Sequence, residues 1–190
     1  MTRLVTVAAE LQSLLDSKSW KNCLIGALVL QRWGEPRLTK DVDLTVLTGF
    51  GGEAVVVDLL LARFAGRRPD TREFALQNRV LLIQSTDGIG MDVALGALPF
   101  EERVMERASE FDFTPGCRLR TCSAEDLIVM KAFANRERDW LDVESVIIRQ
   151  ERQLDWKQIM AELEPLSELK ESPEIPDRLN RLRRKVAARN

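Results

Sequence analysis

The amino-acid sequence predicts an α+β fold in two parts, a mixed β-sheet core with flanking helices over residues 1–121 and a helical segment over residues 122–190. Three observations carry this. Up to Thr121 the hydrophobic spacing switches repeatedly between strand-like and helix-like periods, with Gly- and Asp-bearing turns between the runs. From Ser123 onward only helical spacing persists. The chain has 190 residues, 45% hydrophobic and 31% charged, which is the balance of a globular protein able to bury a core.

Leu4, Val7, Leu11, Leu14 and Leu15 recur at helical spacing and predict a first helix ending near Ser17. Asn22 to Ile25 is a short apolar strand that stops at Gly26, and a second helix is expected over Ala27 to Arg32. Val42 to Leu47 reads as a strand with Asp41 and Asp43 at its start. Gly49, Gly51 and Gly52 then form a loop before a helix over Glu53 to Phe64. Arg79–Gln84 and Met91–Leu95 are β-rich runs whose connection contains Asp87-Gly88, a hairpin signal. A helix follows Pro99 through Ala108, then a short extended piece crosses Pro115-Gly116 to Thr121. Ser123 with Asp126 three residues on resembles an N-cap with an acidic first turn, opening the helical remainder.

Composition narrows the chemistry. There is no His and no Tyr, so Ser-His-Asp and Cys-His nucleophile systems, His-ligated zinc and phenol chemistry are all excluded. Cys23, Cys117 and Cys122 are odd in number and lack C-x-x-C spacing, which fits buried or spectator thiols. No run approaches the ~20 apolar residues of a membrane span, and Met1 to Ala9 lacks the charged start and apolar block of a signal peptide. A cytoplasmic protein without membrane association is expected. Carboxylates, Lys, Arg and an oxygen-preferring metal must carry any reaction.

The carboxylates supply a candidate. Residues two apart in a strand point the same way with backbones ~6.5–7 Å apart, so Asp41 and Asp43 share one face while Val42 and Leu44 take the other. Two such anions repel unless a divalent cation joins them, and all-oxygen ligands suit Mg²⁺ or Mn²⁺. Asp92, set among apolar neighbours in Met91-Asp92-Val93-Ala94-Leu95, is a third acid; if its strand lies beside that of Asp41, the three converge on a site able to hold two ions ~3.5–4 Å apart. A solvated edge position explains Asp92 equally well on spacing alone. Gly26, after a strand and before a helix, lets a phosphate approach the backbone closely, and Asp41 follows 15 residues later.

Lys131, Asn135, Arg138 and Asp142 step by four, three and four, which on one unbroken helix makes a polar stripe. Lys131 and Asp142 would then lie ~16 Å apart along the axis. Either the helix breaks near Asn135, or only one end of this segment meets a substrate.

Together these residues resemble the nucleotidyltransferase superfamily of polymerase-beta-like fold, in its AbiEii-like, abortive-infection branch. The likeness lies in Gly26-Ala27, in Arg32-Trp33-Gly34, in Arg37-Leu38-Thr39-Lys40-Asp41-Val42-Asp43-Leu44, in Asp92, in Glu125 to Lys131 and in Arg138 to Val143, spanning roughly residues 20 to 145. It implies a nucleotidyltransferase-type sheet core followed by helices, with Asp41, Asp43 and Asp92 as metal ligands and catalytic acids. It further implies Gly26, Ala27, Thr39, Lys40 and Lys131 on the nucleotide, Lys131 meeting the triphosphate, and Asp139 as the catalytic acid of the late motif. The family motif usually begins Gly-Ser or Gly-Gly; Ala27 keeps the backbone donor and supplies no hydroxyl.

The implied activity is Mg²⁺-dependent (or Mn²⁺-dependent) transfer of a nucleoside monophosphate from an NTP to a hydroxyl acceptor. Relatives are toxins that modify transfer RNA, so RNA leads as acceptor, with a small-molecule hydroxyl as the alternative and a cognate antitoxin as the expected protein partner. Residues 176–190 hold six basic side chains against Asp177, a local charge of +5 within a total of −2, which makes the C-terminal tail the candidate RNA contact. The competing expectation is a non-catalytic nucleotide- or protein-binding module of the same fold.

Overall fold

Seven strands join in one mixed sheet in the computed structural model, which describes residues 2–189. In chain order the elements are α1 (Thr2–Asp16), β1 (Asn22–Ile25), α2 (Leu30–Trp33), β2 (Asp41–Leu47), α3 (Glu53–Arg63), β3 (Ala65–Gly66), α4 (Thr71–Asn78), β4 (Val80–Gln84), β5 (Gly90–Gly96), α5 (Pro99–Arg107), β6 (Ser109–Thr114), β7 (Cys117–Thr121), α6 (Ala124–Ala134), α7 (Glu137–Gln150), a 3₁₀ turn (Glu151–Gln153), α8 (Trp156–Leu169) and α9 (Glu174–Ala187). The fold is α+β with the sheet order β3-β4-β5-β2-β1-β7-β6.

Two compact units divide the chain. The first comprises Met1–Leu28 and Leu38–Cys122 and holds the whole sheet; the second comprises Val29–Arg37 and Ser123–Asn190 and is helical. Among the described residues no helix is long and apolar enough to cross a membrane.

In the first unit β2 is central. It runs antiparallel to β1 and parallel to β5. A parallel pair requires a crossover of a dozen or more residues, and the stretch from Thr48 to Ile89 supplies it with α3, α4 and β4. Val42, Leu44 and Val46 of β2 are fully buried, as are Met91 and Val93 of β5, so in-register pairing stacks one apolar face across both strands. Burying such side chains stabilises the sheet by roughly 1.5–3 kcal/mol each. α1 lies against β1, β2 and β7 with Val5, Ala8, Leu11 and Leu15 buried.

Several elements differ from the sequence expectation, each for a local reason. The helix expected from Ala27 starts only at Leu30, because Gly26 adopts φ +71° and the chain turns over residues 26–29 before it can coil. β3 and α4 lie where no element was expected: β3 is two residues long, too short to display a period, and α4 has just eight residues. The extended piece near Pro115 is a hairpin of β6 and β7, with Gly116 at φ +79° in its turn and Asp112 opposite Arg118. Cys23 and Cys122 are buried and Cys117 is partly exposed, and none of the three is in a disulfide.

In the second unit α6 is capped by Ser123, whose Oγ accepts from the Asp126 backbone N–H at 3.1 Å. Its core includes Leu30, Leu127, Ile128, Val143, Ile159, Leu163, Ile175 and Leu179, all fully buried. The segment Val29–Arg37 is sewn to α7: Gln150 Nε2 donates to the Trp33 carbonyl at 2.8 Å and Arg149 Nη1 to the Gly34 carbonyl at 2.5 Å.

Candidate active site

Register partners in a sheet share a face, and neighbouring strands lie about 4.8 Å apart. In the β2–β5 pair Asp43 stands opposite Asp92 and Asp41 opposite Gly90. All three carboxylates therefore project from the same face, opposite to the buried Val42, Leu44 and Val46. Their side chains stay in reach of solvent: Asp41 is 48% exposed and Asp92 38%.

Two glycines make room for these acids. Gly26 follows Ile25, which pairs with Asp43, and a Cβ placed on Gly26 would lie 2.1 Å from Asp43 Oδ2. A Cβ on Gly90 would lie 2.2 Å from Asp41 Oδ1 and 2.8 Å from Arg67 Nη1. At Gly26 the added atom would also stand 2.6 Å from the Asp43 Cβ, which rotation cannot move away, and the φ of +71° independently favours glycine; at Gly90 the atoms met are the ends of the Asp41 and Arg67 side chains.

Arg67, just beyond β3, pairs with Asp92 and sets Nη1 3.8 Å from Asp41 Oδ1. Sequence reasoning missed this residue. It belongs to no motif, and its place depends on β3, which periodicity could not find. Burial raises the Asp92 carboxyl above its ordinary value; Arg67 opposes that rise and Asp41 adds to it.

The second unit carries a separate charge cluster. α6 ends at Ala134, Asn135 takes a left-handed conformation at φ +59°, and α7 restarts at Glu137. Trp140 Nε1 donates to Asn135 Oδ1 at 2.8 Å and fastens this break. The break folds α7 back so that Lys131 Nζ donates to Asp139 Oδ1 at 3.0 Å and to Asp142 Oδ2 at 2.7 Å. Arg37 grips Asp142 with two hydrogen bonds of 2.7 and 2.8 Å, and Arg136 Nε donates to Asp139 Oδ2 at 2.5 Å. Lys131, Asp139 and Asp142 are all buried. Burial alone would raise both carboxyls. The hydrogen bonds from Arg136 and Lys131 on Asp139, and from Arg37 and Lys131 on Asp142, outweigh it and hold both below the ordinary value.

The structure thus gathers Asp41, Asp43, Asp92 and Gly26 in the first unit, and Lys131 with Asp139 in the second. Ala27 is buried after Gly26; Thr39 and the exposed Lys40 lead into β2, where Thr39 Oγ1 donates to the Asp41 carbonyl at 3.3 Å. Of the basic tail, Arg178 pairs with Glu137 and stacks over Trp140, Lys185 and Arg189 pair with Glu144, and Arg183 lies over Trp156. Arg181 and Arg184 are exposed.

The donors on the acidic face are carboxylate oxygens from rigid strands, which suits Mg²⁺ or Mn²⁺. Among the described residues no three acids or thiols are drawn together into a ready-made cage, and Arg67 bridges two of the three acids. The residue types and their shared face fit such an ion.

Residues 18–147 match the family described as AbiEii, nucleotidyl transferase AbiEii toxin, type IV TA system. No curated protein matches the chain. Among solved structures, an antigenic nucleotidyltransferase-like protein from Paracoccidioides brasiliensis is similar at 18% identity and a TM-score of 0.52, covering 93% of this chain and 92% of its own. The antibiotic-resistance factor ANT(2'')-Ia aligns at 16% identity and a TM-score of 0.46 over 99% of this chain and 93% of its own.

Proposed function

The chain belongs to the AbiEii nucleotidyl transferase toxin family, and from that premise we propose that it is a Mg²⁺-dependent enzyme transferring a nucleoside monophosphate from an NTP to a hydroxyl of RNA. The observation that carries the reading is the shared face of Asp41, Asp43 and Asp92, set by the β2–β5 register and opened by Gly26 and Gly90.

Asp41, Asp43 and Asp92 are the residues to hold the metal, which when bound neutralises phosphate charge and acidifies the acceptor hydroxyl. The rest is positioning by the chain itself. Gly26, without a Cβ, makes room for the Asp43 carboxylate at the end of β1, and Gly26, Ala27, Thr39 and Lys40 flank the nucleotide. Lys131, whose ammonium is held by Asp139 and Asp142, is the further nucleotide contact that the family resemblance implies. RNA is the acceptor favoured by the exposed Arg181 and Arg184 of the basic tail, and a cognate antitoxin is the protein partner that a type IV system implies.

The test follows label from α-³²P NTPs into total RNA with and without Mg²⁺. The wild-type chain is expected to label RNA only with metal, and Asp41→Ala or Asp43→Ala to abolish labelling with an unchanged circular dichroism spectrum. Full activity in either folded variant would sink the mechanism. Ala27, which lacks the usual hydroxyl or second glycine, favours one other reading, a non-catalytic nucleotide- or protein-binding module. Metal-dependent NTP binding by calorimetry without any transfer would select it.

A further inference from the structure

Arg67 meets two acids of the proposed metal site, and the reaction as proposed assigns it no task. Its position is dictated by the sheet. The Arg67 backbone N–H donates to the Leu82 carbonyl at 3.0 Å, continuing the β3–β4 ladder one step beyond the Gly66↔Ile83 pair. Leu82 is in turn the register partner of Asp92, and Asp92 that of Asp43. Arg67, Leu82, Asp92 and Asp43 therefore form one row across four strands, and the long Arg67 side chain spans Leu82 to reach Asp92. Its second nitrogen lies 3.8 Å from Asp41 Oδ1. Gly90 leaves the space for this, since a Cβ there would crowd both Arg67 Nη1 and Asp41 Oδ1. A forked guanidinium is the side chain best shaped to serve two carboxylates at once.

We propose that Arg67 is the resident counter-cation of the acidic face: it holds Asp41 and Asp92 in the metal-free protein, and a divalent cation enters by displacing it. The proposal rests on the reading of that face as a metal site. Metal and guanidinium compete for the same oxygens, so the apparent metal affinity of the wild-type chain is reduced by the fraction of molecules in which Arg67 occupies them. Arg67 is a positioning residue in this sense, keeping two like charges together on neighbouring strands until the ion arrives. Partial solvent exposure on all three groups, 27% for Arg67, keeps the competition modest and reversible.

Mn²⁺ titration of the full-length chain without nucleotide, following the electron paramagnetic resonance signal of free Mn²⁺, tests this directly. Arg67→Gln is expected to tighten Mn²⁺ binding roughly three- to tenfold over wild type. Asp92→Asn is expected to lose it. A folded Arg67→Gln variant that binds Mn²⁺ no more tightly than wild type, while Asp92→Asn still loses binding, overturns the counter-cation role and leaves the metal site standing. No binding by wild type or Arg67→Gln overturns the metal site and this inference with it. Should the glutamine variant fail to fold, Arg67→Lys carries the test: its single ammonium cannot fork between both acids, so a smaller tightening in the same direction is expected, and unchanged or weaker binding overturns the role.

Discussion

Gly26 is the residue at which backbone conformation and the candidate chemistry meet. A non-glycine residue at φ +71° costs about 1–2 kcal/mol, and here the added Cβ would also strike the Asp43 carboxylate. The Asp43 Cβ itself would lie 2.6 Å from the added atom, so turning the carboxylate away does not relieve the contact and the paired β1–β2 backbone must give. Gly49 offers the control: it sits at φ +65°, and a Cβ added there would meet nothing within 4 Å. Gly49→Ala is expected to lose about 1–2 kcal/mol in urea unfolding and to keep nucleotide transfer, while Gly26→Ala loses more stability than that and loses transfer as well. Equal transfer in the two variants would separate Gly26 from the site. At this scale the sequence announces acids and glycines through spacing: the Asp41–Asp43 alternation and the strand stop at Gly26 are both local. Arg67 is not announced, because its partners lie 26 and 25 residues away and its place depends on a ladder of two residue pairs.

Among elements, the α6–α7 junction shows why a spacing pattern alone misleads. Lys131, Asn135, Arg138 and Asp142 form a stripe only if the helix continues, and Asn135, a residue tolerant of the left-handed region, ends it. The break converts a surface stripe into a buried cluster in which Lys131 serves two carboxylates. Lys131→Met leaves Asp139 and Asp142 buried with Arg136 and Arg37 as their remaining partners, so a loss is expected that is smaller than the ~3–5 kcal/mol of a buried charge left with no partner. Unfolding midpoints in urea check this loss. The pH dependence follows from the same bonds. Both carboxyls lie below their ordinary value of 3.8 in the folded chain, so their contribution is fully present above that value and fades as pH falls below it, when the folded carboxylates take up protons. Wild-type stability is expected to drop steeply below about pH 4, and Asp142→Asn, already lacking one of these groups, to show a shallower slope over the same range.

Over the whole molecule, the sheet-then-helices order along the chain is legible because it is written in hydrophobic period, yet the two units do not follow that order. Val29–Arg37 precedes most of the strands in sequence and belongs with the helices after Ser123. Nothing local marks this: a four-residue helix and a Gly-Glu-Pro turn look like any connection until α7 supplies their partners. Leu30 is fully buried, the Trp33 and Gly34 carbonyls accept hydrogen bonds from Gln150 and Arg149, and Arg37 is clamped by Asp142. A fragment of residues 1–122 therefore keeps every strand and loses the partners of this segment. Exposing Leu30 alone costs roughly 1.5–3 kcal/mol, and stranded carbonyls add to it. The fragment is expected to melt at lower temperature and less cooperatively than the full chain, and adding residues 123–190 in trans to restore a sharp transition. A 1–122 fragment whose circular dichroism melt matches that of the intact chain would mean that the segment contributes nothing to its own unit.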